Sequence, residues 1–291
     1  MPINAFLELL FLASLWGASF LFMRIGSPEF GPFLLVALRT LTASLFLLPI
    51  LMAKRQHQQL SGRWPQIFIM GAFNTAIPFA LFGYALLSLS AGVGSVLNAT
   101  APIFAAIVAF IWLKDRISIA GIMGLLLGFF GVYMLMSGKI SSDGETLLLP
   151  TLAALSATLC YAIATNYTKQ YLHDLKPLAL AAGSQISSTL MLLPFALWFL
   201  PSEMPSHSAF YSVAALGVFC TGIAYILFFR LIASVGPTKA ISVTYLIPVF
   251  GLLWGYLFLA EPITLSTLAG SGCILLGVGL TTGLFSRRFA K

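Results

Sequence analysis

The chain has 291 residues, 59% apolar and 8% charged, with 15 Lys and Arg against 8 Asp and Glu and a mean hydropathy of +1.00. A water-facing globular surface needs about a quarter of the residues charged, so these values exclude a soluble domain and make the lipid bilayer the main solvent. The net charge of +7 comes without the clustered basic stripe that grips nucleic acid, so no nucleic acid partner is expected.

Hydropathy and loop punctuation predict ten helices, at about 4–23, 32–53, 65–87, 92–113, 118–137, 147–168, 177–200, 208–233, 238–259 and 264–285. The first has no basic residue before it and is too long for a signal-peptide core, so it is expected to be an uncleaved span. Runs such as FAAIVAFIWL are apolar on every side, unlike the period-two strands of a membrane barrel. Cys160, Cys220 and Cys273 stand singly, with no CxxC pair, so neither a disulfide framework nor a metal site is expected.

Ten crossings sort the bases by side. One side holds Lys54, Arg55, Arg63, Lys114, Arg116, Lys169, Lys176, Lys239, Arg287, Arg288 and Lys291; the other holds Arg24 and Lys139. Basic residues stay in the cytoplasm, so both termini are expected there. Arg39 and Arg230 fall inside apolar runs.

A shift of 146 residues lays 71–119 on 217–265 without gaps, pairing Gly71 with Gly217, Thr75 with Thr221, Phe82 with Phe228 and Pro102 with Pro248. The sequence is therefore expected to hold two five-helix repeats, 1–142 and 143–291. An odd number of helices per repeat sends the second into the membrane from the opposite side. The loops agree: LKDRIS at 113–118 is basic, and its counterpart LAEPIT at 259–264 has lost the bases but keeps an acid, Glu261. The fold class is thus an all-α integral membrane protein of ten transmembrane helices in two inverted repeats, an arrangement typical of secondary transporters.

The stretch from Gly217 to Thr264, with LWGASFLFMRIG around Trp16, ALRTLTA around Arg39 and NATAPIFAAIVAFIWLKDRIS from Asn98, resembles the EamA family of the drug/metabolite transporter superfamily over essentially the whole chain. The resemblance implies a bacterial inner-membrane protein with a central cavity between its halves and with helices five and ten outside it. It leaves the substrate open, since members export amino acids, purine-like metabolites and other small solutes.

Pro78, Pro102 and Pro248 lie inside predicted helices, where a proline frees the carbonyl four residues earlier: those of Asn74, Asn98 and Thr244. In hydrocarbon a free carbonyl is tolerated only against protein or a wet cavity, so these helix breaks mark either a substrate site or self-supported kinks. Trp16, Ser19, Tyr161, Thr221, Tyr225 and Tyr245 offer aromatic faces and hydroxyls that could complete a cavity; packing or interfacial anchoring is the alternative. The expected substrate contacts are thus Trp16, Asn74, Asn98, Tyr161, Thr221, Tyr225, Thr244 and Tyr245. Arg39 lies about 10 Å from a helix end; it could snorkel, bind a carboxylate, or clamp carbonyls as its family match also allows. Glu8 and Arg230 read as interfacial. Gly121, Gly124, Gly128 and Gly131, like Gly279 and Gly283, form small faces for contact within the bundle or in a homodimer.

His57, His173 and His207 fall in loops, and every carboxylate but Glu8 does too, so no proton relay is evident. Neither a nucleophile with its base nor a phosphate loop occurs, so no enzyme activity and no cofactor are expected. The sequence points to a secondary transporter moving an amino acid or similar metabolite, with export as the expected direction. A nucleotide-sugar or sugar-phosphate exchanger, or an intramembrane lipid-modifying enzyme, is the alternative.

Overall fold

The computed structural model describes residues 2–136 and 147–282, without the side chains of Pro237 and Thr238. Lys139, Gly283, Arg287, Arg288, Lys291 and the repeat boundary near 142 lie outside the described residues. Among the described residues all regular structure is helical. Nine apolar runs follow one another: α1 (Ile3–Ala53), α2 (Trp64–Ala85), α3 (Ala91–Leu113), α4 (Ile119–Met136), α5 (Leu148–Tyr171), α6 (Pro177–Trp198), α7 (His207–Val235), α8 (Val243–Leu259) and α9 (Leu265–Thr281). The first seven are long and apolar enough to cross a membrane, while α8 and α9 are shorter, at 17 residues each.

The 51 residues of α1 do not form one rod. Gly31 interrupts them with φ 70° and ψ 159°, a conformation open to a residue without Cβ, and Pro32 opens the following helix where its missing N–H does no harm. Helix therefore reaches to residue 30, beyond the predicted end at 23, and the corner is made by Gly31 alone. The expected 238–259 helix is shorter at its start: a separate turn, Pro237–Ala240, precedes α8.

Local backbone features recur at the 146-residue spacing. α2 widens into a π-type turn at Ala72–Ala76, and α7 does so at Val218–Ile223. Pro78 follows the first turn, yet Ala224 stands at the matching place after the second, so proline is not what widens it. Lys114 and Ala260 both take left-handed conformations, φ 59° and 52°. Across them Asp115 N–H reaches the Ala109 carbonyl at 3.2 Å, and Glu261 N–H reaches that of Gly255 at 3.1 Å.

Polar ties join the helix ends in two groups. One contains the ion pairs Arg63–Asp174 (2.7 Å), Lys169–Asp115 (3.4 Å) and Arg230–Glu8, and the Tyr245–Thr282 hydroxyl pair (2.7 Å). In the other, Arg24 donates to the carbonyls of Leu86 and Leu87 at 2.6 Å each, and Glu29 accepts from Ser206. There Glu261 also accepts from the N–H groups of Ala91 (2.7 Å) and Gly92 (3.1 Å), satisfying two orphan donors at the start of α3 with a charge that suits the helix dipole.

α4 and α9 pack on each other through glycine. A Cβ at Gly124 would stand 2.5 Å from the Gly277 carbonyl oxygen, and one at Gly131 2.7 Å from that of Gly270. Lipid tails are as apolar as side chains, so such close backbone approach is what holds two membrane helices together. The contact made by the glycines of α4 is therefore within the bundle. Its partners among the described residues include Gly270 and Gly277. Because backbone atoms cannot move aside, Gly124→Val should cost about 1–3 kcal/mol and lower the melting temperature in detergent. Gly272→Ala, with nothing within 4 Å of its new methyl, should leave it unchanged.

Candidate functional site

Between these helices lies a cavity of about 510 Å³, within the range that holds a small organic ligand. α1 contributes Trp16, Ser19, Phe20, Met23 and Arg39; α2 contributes Asn74, Phe79 and Phe82; α3 contributes Asn98, Pro102 and Ala105. From the later helices come Tyr161 and Thr165 of α5, Cys220, Thr221, Tyr225 and Phe228 of α7, Thr244 and Ile247 of α8, and Ile241 just before it. Thr165 and Ile241 are exposed, each within four residues of a lysine, Lys169 or Lys239. The cavity opens at that end. Phe20 and Phe82, packed edge-to-face at 5.5 Å and 7% and 2% exposed, close the other.

Of the expected contacts, Trp16, Asn74, Asn98, Tyr161, Thr221, Tyr225 and Thr244 line this space. Tyr245 does not; its hydroxyl pairs with Thr282 at the open end. Pro102 lines the cavity too, after a tight turn in which the N–H groups of Ala99 and Thr100 reach back three residues. Pro248 is buried inside the unbroken α8, and the matching turn precedes it, with Tyr245 N–H on the Ser242 carbonyl. Pro78 is buried behind the π-type turn of α2.

Phe79, Phe82 and Phe228 also line the cavity and were not among the expected residues. The repeat was the signal that could have found them. The 146-residue shift pairs Phe82 with Phe228, Phe79 with Tyr225, Asn74 with Cys220, Asn98 with Thr244 and Ser19 with Thr165, and both members of each pair face the cavity. The aromatic walls are ordered: Tyr161 stacks along Phe82 (6.3 Å, 24°), and Trp16 leans on Phe228 (5.2 Å).

Arg39 is 4% exposed. It does not snorkel, and its hydrogen bonds do not go to carbonyls. Its Nε donates to the Thr221 hydroxyl at 3.0 Å and Nη1 to the Met23 sulfur at 3.4 Å, while its Cζ lies 3.9 Å from the centre of the Phe79 ring. Thr221 passes its own proton to the Leu216 carbonyl at 2.8 Å, satisfying an acceptor beside the π-type turn. The ring face offers about 2 kcal/mol to a desolvated cation, less than the about 3–5 kcal/mol that an ion pair's missing half costs. Arg39 is the one charged side chain among the described lining residues. Glu8, which is paired with Arg230, is not one of them.

The EamA-like transporter family profile matches residues 5–137 and again 148–283. The chain belongs to the EamA-like transporter family. An Archaeoglobus fulgidus protein described as an uncharacterized transporter is 29% identical over 90% of this chain and 93% of its own length. The Bacillus subtilis uncharacterized transporter YoaV is 25% identical over 98% and 99%. A WAT1-related chloroplastic protein of Arabidopsis thaliana is 26% identical over 91% of this chain and 66% of its own. One solved crystal structure superposes with a TM-score of 0.68 over the full length of both chains, at 19% identity, and shares the fold. Family and apolar helices together make this a multi-pass membrane transporter.

Asn98 has no side-chain partner among the described residues and Thr244 bonds only its own helix start, at 2.8 Å, so both are available to a solute. Replacing either by Leu fills the cavity and removes a polar contact worth about 0.5–1.5 kcal/mol. Transport should fall while the melting temperature holds. A loss of activity that merely tracks lost folded protein would assign both residues to structure.

Proposed function

We propose that the protein moves a small organic metabolite across the bacterial cytoplasmic membrane by alternating access, with an amino acid or similar compound as the substrate class and export as the direction. The observation that carries this reading is the cavity between the helices, open at one end, closed at the other and lined by residues in repeat-related pairs. Residues brought to one space by a 146-residue symmetry are what two exchangeable halves would present to a shared site.

In this reading the break at Gly31 divides α1 into two spans, giving ten crossings and two inverted five-helix repeats, 1–142 and 143–291. The end ties support it. Counting ten crossings puts Arg63 with Asp174, Lys169 with Asp115 and Arg230 with Glu8 on one side, and Glu261 with Ala91 and Glu29 with Ser206 on the other. The family profile likewise matches twice. With basic residues kept in the cytoplasm, this reading has the first group, and with it the open end of the cavity, on the cytoplasmic side. Trp16, Asn74, Asn98, Tyr161, Thr221, Tyr225 and Thr244 are the proposed substrate contacts. Tyr245 is left out of that set, since its hydroxyl is taken by Thr282. One lone arginine is poor provision for the several charges of a sugar phosphate.

Topology is tested with single cysteines in a background lacking Cys160, Cys220 and Cys273. Cysteines at His57 and His173 should be protected from impermeant thiol reagents in intact cells, and one at His207 labelled. Labelling at His57 would overturn the orientation and the inverted repeat. Glu8 pairs with an Arg230 that is largely exposed and stands apart from the cavity, so Glu8→Gln should keep more than about half of transport in liposomes. A variant that binds solute normally but ignores an imposed pH gradient would instead make Glu8 the proton site.

A further inference from the structure

Arg39 holds five N–H donors, and the protein uses two of them, one on a neutral hydroxyl and one on a thioether. The others have no partner among the described residues. Among the described residues no carboxylate lines the cavity to balance the charge, and none of the ion pairs includes Arg39. A buried guanidinium that lines the cavity, is held by Thr221 and Phe79 and keeps donors to spare is half of an ion pair. Trp16, Phe82, Tyr161 and Phe228 give the wall its aromatic faces, and neutral groups such as Asn98 and Thr244 are its other polar contacts.

Resting on the transporter reading above, and narrowing its substrate class from amino acids to similar acids that lack the amino group, we infer that Arg39 is the anchor for a substrate carboxylate, and that the site selects monoanionic carboxylic acids with an apolar or aromatic body over matched neutral, zwitterionic or cationic solutes. The fork of the guanidinium meets both oxygens of a carboxylate. Cation and anion then neutralise each other away from water, which gives the anion an advantage that its amide cannot share. An ammonium group finds hydroxyls and π faces here but no carboxylate, and it is repelled by Arg39. A dianion would find a single cation. The acid head sits toward the closed end, beside Phe79 and Thr221, and the body extends along Trp16 and Phe228 toward the open end.

The test uses the full-length protein in nanodiscs and four probes that share a phenylethyl body: 3-phenylpropanoate, 3-phenylpropanamide, phenylalanine and phenethylamine, titrated by calorimetry at pH 7. The carboxylate should bind at least about tenfold more tightly than the amide or the amino acid, a margin of one charge-assisted pair, and the amine most weakly. Arg39→Gln should bring carboxylate and amide to equal affinity, and Arg39→Lys should keep part of the difference. The series on the unaltered protein decides the matter even if the variants fold poorly. Equal binding of carboxylate and amide, with every probe weakened by Asn98→Leu, overturns the carboxylate anchor and leaves the cavity as the transport site. Tighter binding of phenylalanine, or a carboxylate preference that persists in Arg39→Gln, also overturns it. If none of the four binds, the anchor and the cavity reading fall together.

Discussion

Hydrocarbon offers no hydrogen bonds, and the architecture of this protein follows from that one constraint. Every backbone N–H and C=O at membrane depth must find a partner in the protein or face a space where a partner can enter. Most are closed by helix. The exceptions among the described residues are local: the Gly31 corner, the π-type turns of α2 and α7, a third at Ala109–Leu113 ending α3, the tight turn before Pro102 and the break before α8. The turns of α2 and α7, the turn before Pro102 and the break before α8 stand beside residues that line the same cavity. Where side chains can repair the ladder they do, as when Thr221 supplies a proton to the Leu216 carbonyl.

The same constraint sets the price of Arg39. A guanidinium needs either an anion or a wall of polar groups, and here it has one hydroxyl, one sulfur and one ring. Its position is fixed by α1 after the Gly31 corner and by the π-type turn of α7, which carries Thr221. Fold and site are therefore joined at this residue: the turn that widens α7 also orients the charge in the cavity.

Much of this was legible in the sequence because membrane spans announce themselves by length and apolarity, and because a repeated glycine or proline survives as a visible pair. Asn98 and Thr244, singled out by the prolines that follow them, both line the cavity, though α8 runs unbroken through Pro248. The extent of helix around Gly31 could not, since the polar-looking segment RIGSPEF reads as a loop while its Arg24 and Glu29 in fact reach carbonyls and a helix start from within helical backbone. Phe79, Phe82 and Phe228 were hidden among 25 phenylalanines; in lipid an apolar ring carries no mark of which way it faces. Tyr245 failed for the opposite reason: its ring lies one residue off the cavity face of α8, and a depth estimate cannot resolve rotation about a helix axis. Arg39 was visible as a charge, but its partners lie 16 and 182 residues away in the chain, beyond anything local spacing encodes.

The two ends of the cavity differ in how closely their helices can meet. At the closed end Ser95 of α3 packs directly on Gly251 of α8, and Gly92 lies against Leu252. On the two-repeat reading the equivalent pair at the open end is Ile241 and Ala105, both now lining the cavity. Bringing an isoleucine onto an alanine leaves the helices farther apart than a serine on a glycine, so the opposite closure gains less packing. Without solute the two states would then be unequally populated, and the carrier would rest with its binding site facing the side of Lys169 and Lys239. Distances between spin labels on Lys169 and Lys239 would report that bias as a single dominant population, and an even split would show that something other than packing sets the balance.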